Sequence, residues 1–526
     1  MRRFFVSAPA WGCYLGLVFL YAFSFWQLIL HRRDETFWSW ADAFTILKYS
    51  ILQAGLSALL STIFGLCLGR AFFYLNFKGK YFLFKTFSFI WALPSLIVIF
   101  AVIGVWGNSG WLAQIFSFLG LEWQFSLYGL VGILLAHCFF NIPYGMLYSY
   151  ALLKLIPNSQ HKLAAQLNIT GWQRFKLVEW PILKKRIPFG FMTIFLICFT
   201  SFPIVLMLGG GPKYSTFEVA IFQAVNFEFD FAKAVMLIAV QVVVAVVLKI
   251  LLNIVTPKQE KIVLTPDVES WIPQLSNLEK RSLQIILWTF GFALLVPLCS
   301  VIWEGISVSH LMERLQNPML WQATAYSLML GFIAAIVAVC VAYSVALAAR
   351  HFYYQKQFIR HAFLASTVVY PLIFPIFLLS VGLYFFFQNS ELSTFQLLLL
   401  VGVCNGIVTL PYIYSMIFDA LWQTLTRQDK LAKSLGLSGF RRWWIVEKNY
   451  LVRPLLNAFA LAMSSSLGSF AVIAFFGSPD FSSLPYLLYQ QLGSYRMEDA
   501  AVTAVVLMAI SALPFWVLMK NKKGYI

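Results

Sequence analysis

Twelve long apolar stretches decide what this chain can fold into. They lie at about 11–30, 45–69, 82–106, 128–151, 187–208, 234–254, 283–303, 322–349, 361–387, 395–418, 455–477 and 500–519. A helix of about 20 residues crosses the ~30 Å hydrocarbon core of a bilayer. Several stretches are longer, which implies tilt or extension beyond the membrane. Strands do not fit, because the apolar runs are continuous rather than alternating. Only 11% of the 526 residues are charged, against about 25% in a soluble domain. Phenylalanine supplies 52 residues and tryptophan 18, so a soluble surface could not be covered with polar groups. The same composition excludes a disordered chain and a disulfide-stapled secreted domain. The seven cysteines (Cys13, Cys67, Cys138, Cys198, Cys299, Cys340, Cys404) all fall inside apolar runs without a C-x-x-C pair. They are expected to be small buried hydrophobes rather than metal or redox groups. The expected class is therefore an all-α polytopic membrane protein with twelve transmembrane helices.

The net charge of +17 is read as positive charge held on one side of a bilayer, not as a nucleic-acid surface. No block of five or six like charges marks a basic tail. With the N-terminus in the cytoplasm, most Lys and Arg residues fall on cytoplasmic segments and the outer segments become net acidic. Both termini are then cytoplasmic, with Arg2 and Arg3 at one end and Lys520, Lys522 and Lys523 at the other. Ala22-Phe23-Ser24 weakly resembles a signal cleavage site, but the apolar run continues to Leu30 and meets His31-Arg32-Arg33. A retained first helix is expected.

The chain also repeats itself. Leu163-Ala164-Ala165-Gln166-Leu167-Asn168-Ile169-Thr170-Gly171-Trp172 returns as Leu431-Ala432-Lys433-Ser434-Leu435-Gly436-Leu437-Ser438-Gly439-Phe440, a shift of 268 residues. The same shift pairs Pro143-Tyr144 with Pro411-Tyr412, Val178-Glu179 with Val446-Glu447, and Ser201-Phe202 with Ser469-Phe470. Upstream, a shift of 277 pairs Tyr49-Ser50 with Tyr326-Ser327 and Pro94 with Pro371. The expected organisation is two parallel six-helix repeats, 1–254 and 282–526, joined by a cytoplasmic linker at 255–281 that contains Pro257, Pro266 and Pro273. Small relative rotations of two like halves suit alternating access, so transport is the expected function class.

The segments between the fourth and fifth stretches of each half are basic and contain a helical turn. Leu163, Ala164, Leu167 and Trp172 share one side of it, as do Leu431, Leu435 and Phe440. Gly171 and Gly439 permit a turn after it. Such a knob could lie on the membrane surface, pack under the protein's own helices, or insert into a groove on a partner. Residue type alone leaves all three open.

The spacing resembles the EAA loop of ABC importer permeases: an acidic residue, two alanines, three variable positions, a glycine, and a later proline. It falls on Lys162, Leu163, Ala164, Asn168 and Pro181, and again on Lys430, Leu431, Ala432, Gly436 and Asn449. Lysine replaces the acid in both copies, and asparagine replaces the second proline. Asn168 is the mildest departure, since asparagine visits left-handed geometry readily. The resemblance implies the type I ABC importer permease fold. It also implies two coupling helices docking two copies of a separate ABC ATPase subunit, with Glu179 and Glu447 among the coupling residues. ATP and Mg would belong to that partner. This chain has no G-x-x-x-x-G-K-[ST] phosphate loop, and Lys78-Gly79-Lys80 lacks the pattern. It is thus expected to be a transport subunit without a cofactor or metal of its own, not an enzyme.

Ion-coupled carriers place ionisable residues deep in the membrane, whereas here the stretches hold few. His137 is the exception, one turn before Asn141, and its companion at the 268 shift is Asn405. These three could line a pathway or bond between helices. The runs Gly120–Ser126, Gly132–His137, Leu208-Gly209-Gly210-Gly211-Pro212 and Leu484–Gln491 resemble thiamine permeases of bacterial inner membranes. The fused ferric-iron permeases share that architecture, and an ion-coupled carrier is the more distant alternative. The resemblance further implies a periplasmic substrate-binding protein, for which 209–231 and 478–498 are the expected docking surfaces. The aromatic, net acidic outer segments would suit cationic thiamine.

Overall fold

The computed structural model describes residues 2–30, 40–211, 214–255, 271–368 and 370–518. His31, Arg32, Arg33, Pro212, residues 256–270 of the expected linker with Pro257 and Pro266, and the C-terminal Lys520, Lys522 and Lys523 lie outside the described residues.

Among the described residues the chain is helical and has no strand. The first part runs α1 (Arg2–Leu30), α2 (Trp40–Tyr74), α3 (Lys80–Trp91), α4 (Ser95–Trp106), α5 (Trp111–Phe118), α6 (Leu130–Leu153), α7 (Asn158–Gln166), α8 (Gly171–Arg174), α9 (Trp180–Phe199), α10 (Pro203–Leu208), α11 (Phe217–Asn226) and α12 (Phe231–Val255). The second runs α13 (Asn277–Ile306), α14 (Leu311–Leu315), α15 (Pro318–Tyr354), α16 (Phe358–Thr367), α17 (Tyr370–Ile373), α18 (Ile376–Phe387), α19 (Thr394–Ser434), α20 (Gly439–Arg442), α21 (Lys448–Leu467), α22 (Ile473–Phe476), α23 (Leu484–Gly493) and α24 (Met497–Leu518).

Nine helical segments among the described residues are long and apolar enough to cross a membrane, so the chain is a multi-pass membrane protein. The other three expected stretches, 187–208, 361–387 and 455–477, are helical but interrupted, and 82–106 is also broken, between α3 and α4, the qualifying segment there being Ser95–Phe118. Hydropathy does not register these breaks, because they are short and most of the residues that leave the helix are apolar. Phe202 and Phe470, for example, are both buried at such breaks.

The chain forms two compact units. One contains α1 with α15–α24, and the other contains α2–α10 with α13. Each unit thus includes the opening helix of the other sequence half. In the first unit α1 crosses α18 at Gly382, where an added Cβ would stand 2.5 Å from the Ser24 carbonyl oxygen. In the second, α13 crosses α4 at Gly104, where it would stand 2.5 Å from Glu304 Oε1. Without water to drive association, helices in a bilayer gain by close packing at small residues, and glycine permits both approaches.

Candidate ATPase-docking loops and polar ties

In the first repeat, Pro157 separates α6 from α7. Its ring removes a backbone donor and disfavours helical geometry in the residue before it. The equivalent position in the second repeat is Leu425, and there α19 runs unbroken through the loop for 41 residues. The second loop therefore has no separate short helix, contrary to the expectation from its sequence. Its knob is the last turns of a membrane helix.

Both stretches end the same way. Asn168 N donates to the Ala165 carbonyl at 3.1 Å, and Ile169 N to that of Ala164 at 2.9 Å. Gly436 N donates to Lys433 at 3.1 Å and Leu437 N to Ala432 at 2.9 Å. This pair of bonds closes a helix through a left-handed residue, and Asn168 has φ 52° and Gly436 φ 64°. Asparagine at 168 thus does what glycine does at 436. A second left-handed residue follows in each loop, Gly171 (φ 55°) and Gly439 (φ 61°), and starts a further turn.

The turn fixes which side chains face out. Leu163, Leu167 and Trp172 are 56–73% exposed, and Leu431, Leu435 and Phe440 are 53–73% exposed. Ala164 and Ala432 face inward and are buried, while Lys162 and Lys430 are exposed. Trp172 stacks on Phe175 with centroids 5.1 Å apart, and Phe440 on Trp443 at 5.5 Å. Each loop then passes through one π-helical turn, Phe175–Glu179 and Trp443–Glu447, a local widening that often marks functional sites.

Those turns deliver Glu179 and Glu447 inward, where both are buried. Neither could stay ionised there alone. Arg70 Nε donates to Glu179 Oε2 at 2.6 Å, and Tyr74 Oη to Oε1 at 2.9 Å. Arg350 donates to Glu447 Oε2 at 3.1 Å, and Arg442 Nε to Oε1 at 3.0 Å. Arg442 also donates to Asp429 Oδ1 at 2.8 Å, while Tyr354 and Lys433 hold the other carboxylate oxygen at 2.9 and 2.7 Å. Arg174, the counterpart of Arg442, lies over the Tyr74 ring at 4.7 Å and pairs with Glu279. Sequence reading did not single out these arginines or Asp429. The 268 shift that pairs the knobs also pairs Arg174 with Arg442, and was the available signal.

The intramembrane polar residues form ties. His137 Nδ1 lies 3.0 Å from Ser57 Oγ, and Nε2 lies 3.0 Å from Ser201 Oγ. Asn141 donates to the His137 carbonyl and to Cys198 Sγ. In the other repeat, Ser469 Oγ donates to Asn405 Oδ1 at 2.8 Å, and Asn405 Nδ2 donates to Ser466 Oγ at 3.2 Å. The pairs His137–Ser201 and Asn405–Ser469 are related by the 268 shift. Each fastens the fourth stretch of its repeat to the break in the fifth.

Residues 61–261, which include the first loop, match the family of binding-protein-dependent transport system inner membrane components. A thiamine transport system permease protein of Haemophilus influenzae is 39% identical over 475 residues, covering 89% of this chain and 87% of that protein. Those of Escherichia coli and Brucella abortus are 36% and 34% identical, covering 93% and 88% of this chain and 91% and 84% of theirs. These relatives are permeases, and the chain is a transport component rather than an enzyme. It belongs to the family of thiamine transport system permease proteins, inner membrane components of binding-protein-dependent ABC import.

Proposed function

We propose that this chain carries thiamine, and its phosphate esters, from periplasm to cytoplasm by alternating access. The relatives' thiamine permeases support thiamine as the substrate rather than ferric iron. The proposed topology is twelve crossings in two parallel six-helix repeats, 1–254 and 282–526, with the linker 255–281 and both termini in the cytoplasm. Four of the crossings are the interrupted stretches, 82–106 included.

The observation that carries the mechanism is the matched pair of exposed knobs. Leu163, Leu167 and Trp172, and Leu431, Leu435 and Phe440, stand out from loops closed by the same left-handed turns. Each knob docks one ATPase subunit, so two copies bind, and ATP and Mg act there. Lys162 and Lys430 flank the knobs and meet acidic groups on that partner. Ala164 and Ala432 seat the helix on the permease. Asn168, Gly171, Gly436 and Gly439 set its exit, and Glu179 and Glu447 anchor it. ATP can shift the permease only by making contacts that differ between its states. The ties at His137, Asn141 and Asn405 hold the broken fifth helices rather than bind substrate. A periplasmic binding protein delivers thiamine to 209–231 and 478–498.

The test is uptake of labelled thiamine into proteoliposomes holding the chain, its ATPase and its binding protein. Uptake should require ATP and survive a protonophore. Uptake without the ATPase that collapses with the proton gradient would establish the ion-coupled alternative, and uptake of ferric iron in place of thiamine the other.

A further inference from the structure

The two loops neutralise corresponding arginines, the buried Arg174 and the half-buried Arg442, from different places. In the second repeat, Asp429 on α19 holds Arg442. The position matching Asp429 at the 268 shift is His161. It is fully buried, stacks on Phe73 at 5.9 Å, and has no hydrogen-bond partner on either ring nitrogen. It supplies no negative charge, yet Arg174 is 1% exposed. A buried guanidinium needs a carboxylate.

Glu279, 105 residues further on, provides it. Ser276 caps α13 through a 3.3 Å bond from Glu279 N, which places Glu279 in the first turn. Its other carboxylate oxygen accepts from Gly171 N at 3.4 Å. Upstream, Trp271 N donates to Asn158 Oδ1 at 2.9 Å. Residues 271–279 therefore touch the first docking helix at its opening turn and again just past its end.

We propose that Glu279 is a positioning residue for the first docking helix, and that the end of the inter-repeat linker acts as its strap. The strap stands in for the aspartate that position 161 lacks. Its consequence for transport rests on the docking reading above, but the contact itself does not.

Amide hydrogen exchange on the full chain in nanodiscs, without ATPase, tests the strap. Three proteins are compared: wild type, Glu279→Gln, and Glu279→Gln with His161→Asp. In Glu279→Gln, exchange across 158–172 should rise by about tenfold while 426–440 is unchanged. Aspartate at 161 restores a partner within the repeat, so the double variant should recover most of the protection. An unchanged 158–172, an equal rise in both loops, or a double variant no better than the single would overturn the proposal. If Glu279→Gln fails to reach the membrane, Glu279→Asp is read the same way; a smaller rise confined to 158–172 supports the strap, and none overturns it. In the complete transporter, thiamine moved per ATP should fall by about threefold in Glu279→Gln and recover in the double variant. Exchange that responds while transport per ATP does not would support the strap and count against docking at the first loop.

Discussion

In the first candidate docking loop the buried Arg174 reaches a carboxylate from outside its repeat, Glu279; in the second the half-buried Arg442 reaches Asp429 from within. The turns around these arginines are nearly the same: left-handed residues at 168 and 436 and at 171 and 439, with π-helical turns at 175–179 and 443–447. Backbone geometry is specified by a few residues that cannot be moved. A buried cation asks only that some carboxylate lie within reach, and any segment can bring one. Duplicated sites can therefore keep a shape while exchanging the source of their charge.

The comparison breaks first at the glutamates. Glu447 neutralises two arginines, whereas Glu179 neutralises Arg70 alone, because Arg174 is held by Glu279. Glu447→Ala should cost about 3–5 kcal/mol and Glu179→Ala less, since removing one partner of a buried pair strands the other charge. Thermal unfolding of the solubilised chain measures both, and equal losses would contradict the asymmetry. Next is helix continuity. Leu425→Pro should interrupt α19 at a cost of about 3 kcal/mol, while Pro157→Leu should be far milder, since the second repeat carries leucine there. The same unfolding measurement ranks them. At the turns, Gly436→Ala should cost about 1–2 kcal/mol, because its φ is left-handed, and Asn168→Gly should cost nothing. Uptake rate at limiting ATPase reads that difference.

The smallest expected effect is of pH. Burial pushes the His161 imidazolium below its ordinary range; Glu179 opposes the shift and Arg174 adds to it. A group whose folded pKa is depressed binds its proton more readily when unfolded, so its contribution to stability falls as pH drops below about 6.5. Protection factors across 158–172, taken against the intrinsic exchange rate at each pH, should fall in mildly acidic buffer, and His161→Gln should abolish that response.

Much of this was legible in the sequence. Apolar runs located the membrane helices, and the 268 shift located both loops and the ties at His137 and Asn405. Asn168 could be read as a left-handed residue because its chemistry allows few others in glycine's place. What stayed hidden depended on partners. Hydropathy marks α1 and α13 as apolar but does not say against which helices they pack, and each packs with the other sequence half. Glu279 lies in a polar segment with nothing local to connect it to Arg174. The continuity of α19 was available in the exchange of Pro157 for Leu425, since loss of a proline removes a helix stop.

The most direct measurement is disulfide trapping in the assembled transporter, with single cysteines at Leu163 and Leu435 and a cysteine series in the ATPase groove. Both positions should link to an ATPase subunit in high yield, with yields that change on adding ATP. Linkage at neither position, with uptake intact, would show that the duplicated knobs are not where the motor engages.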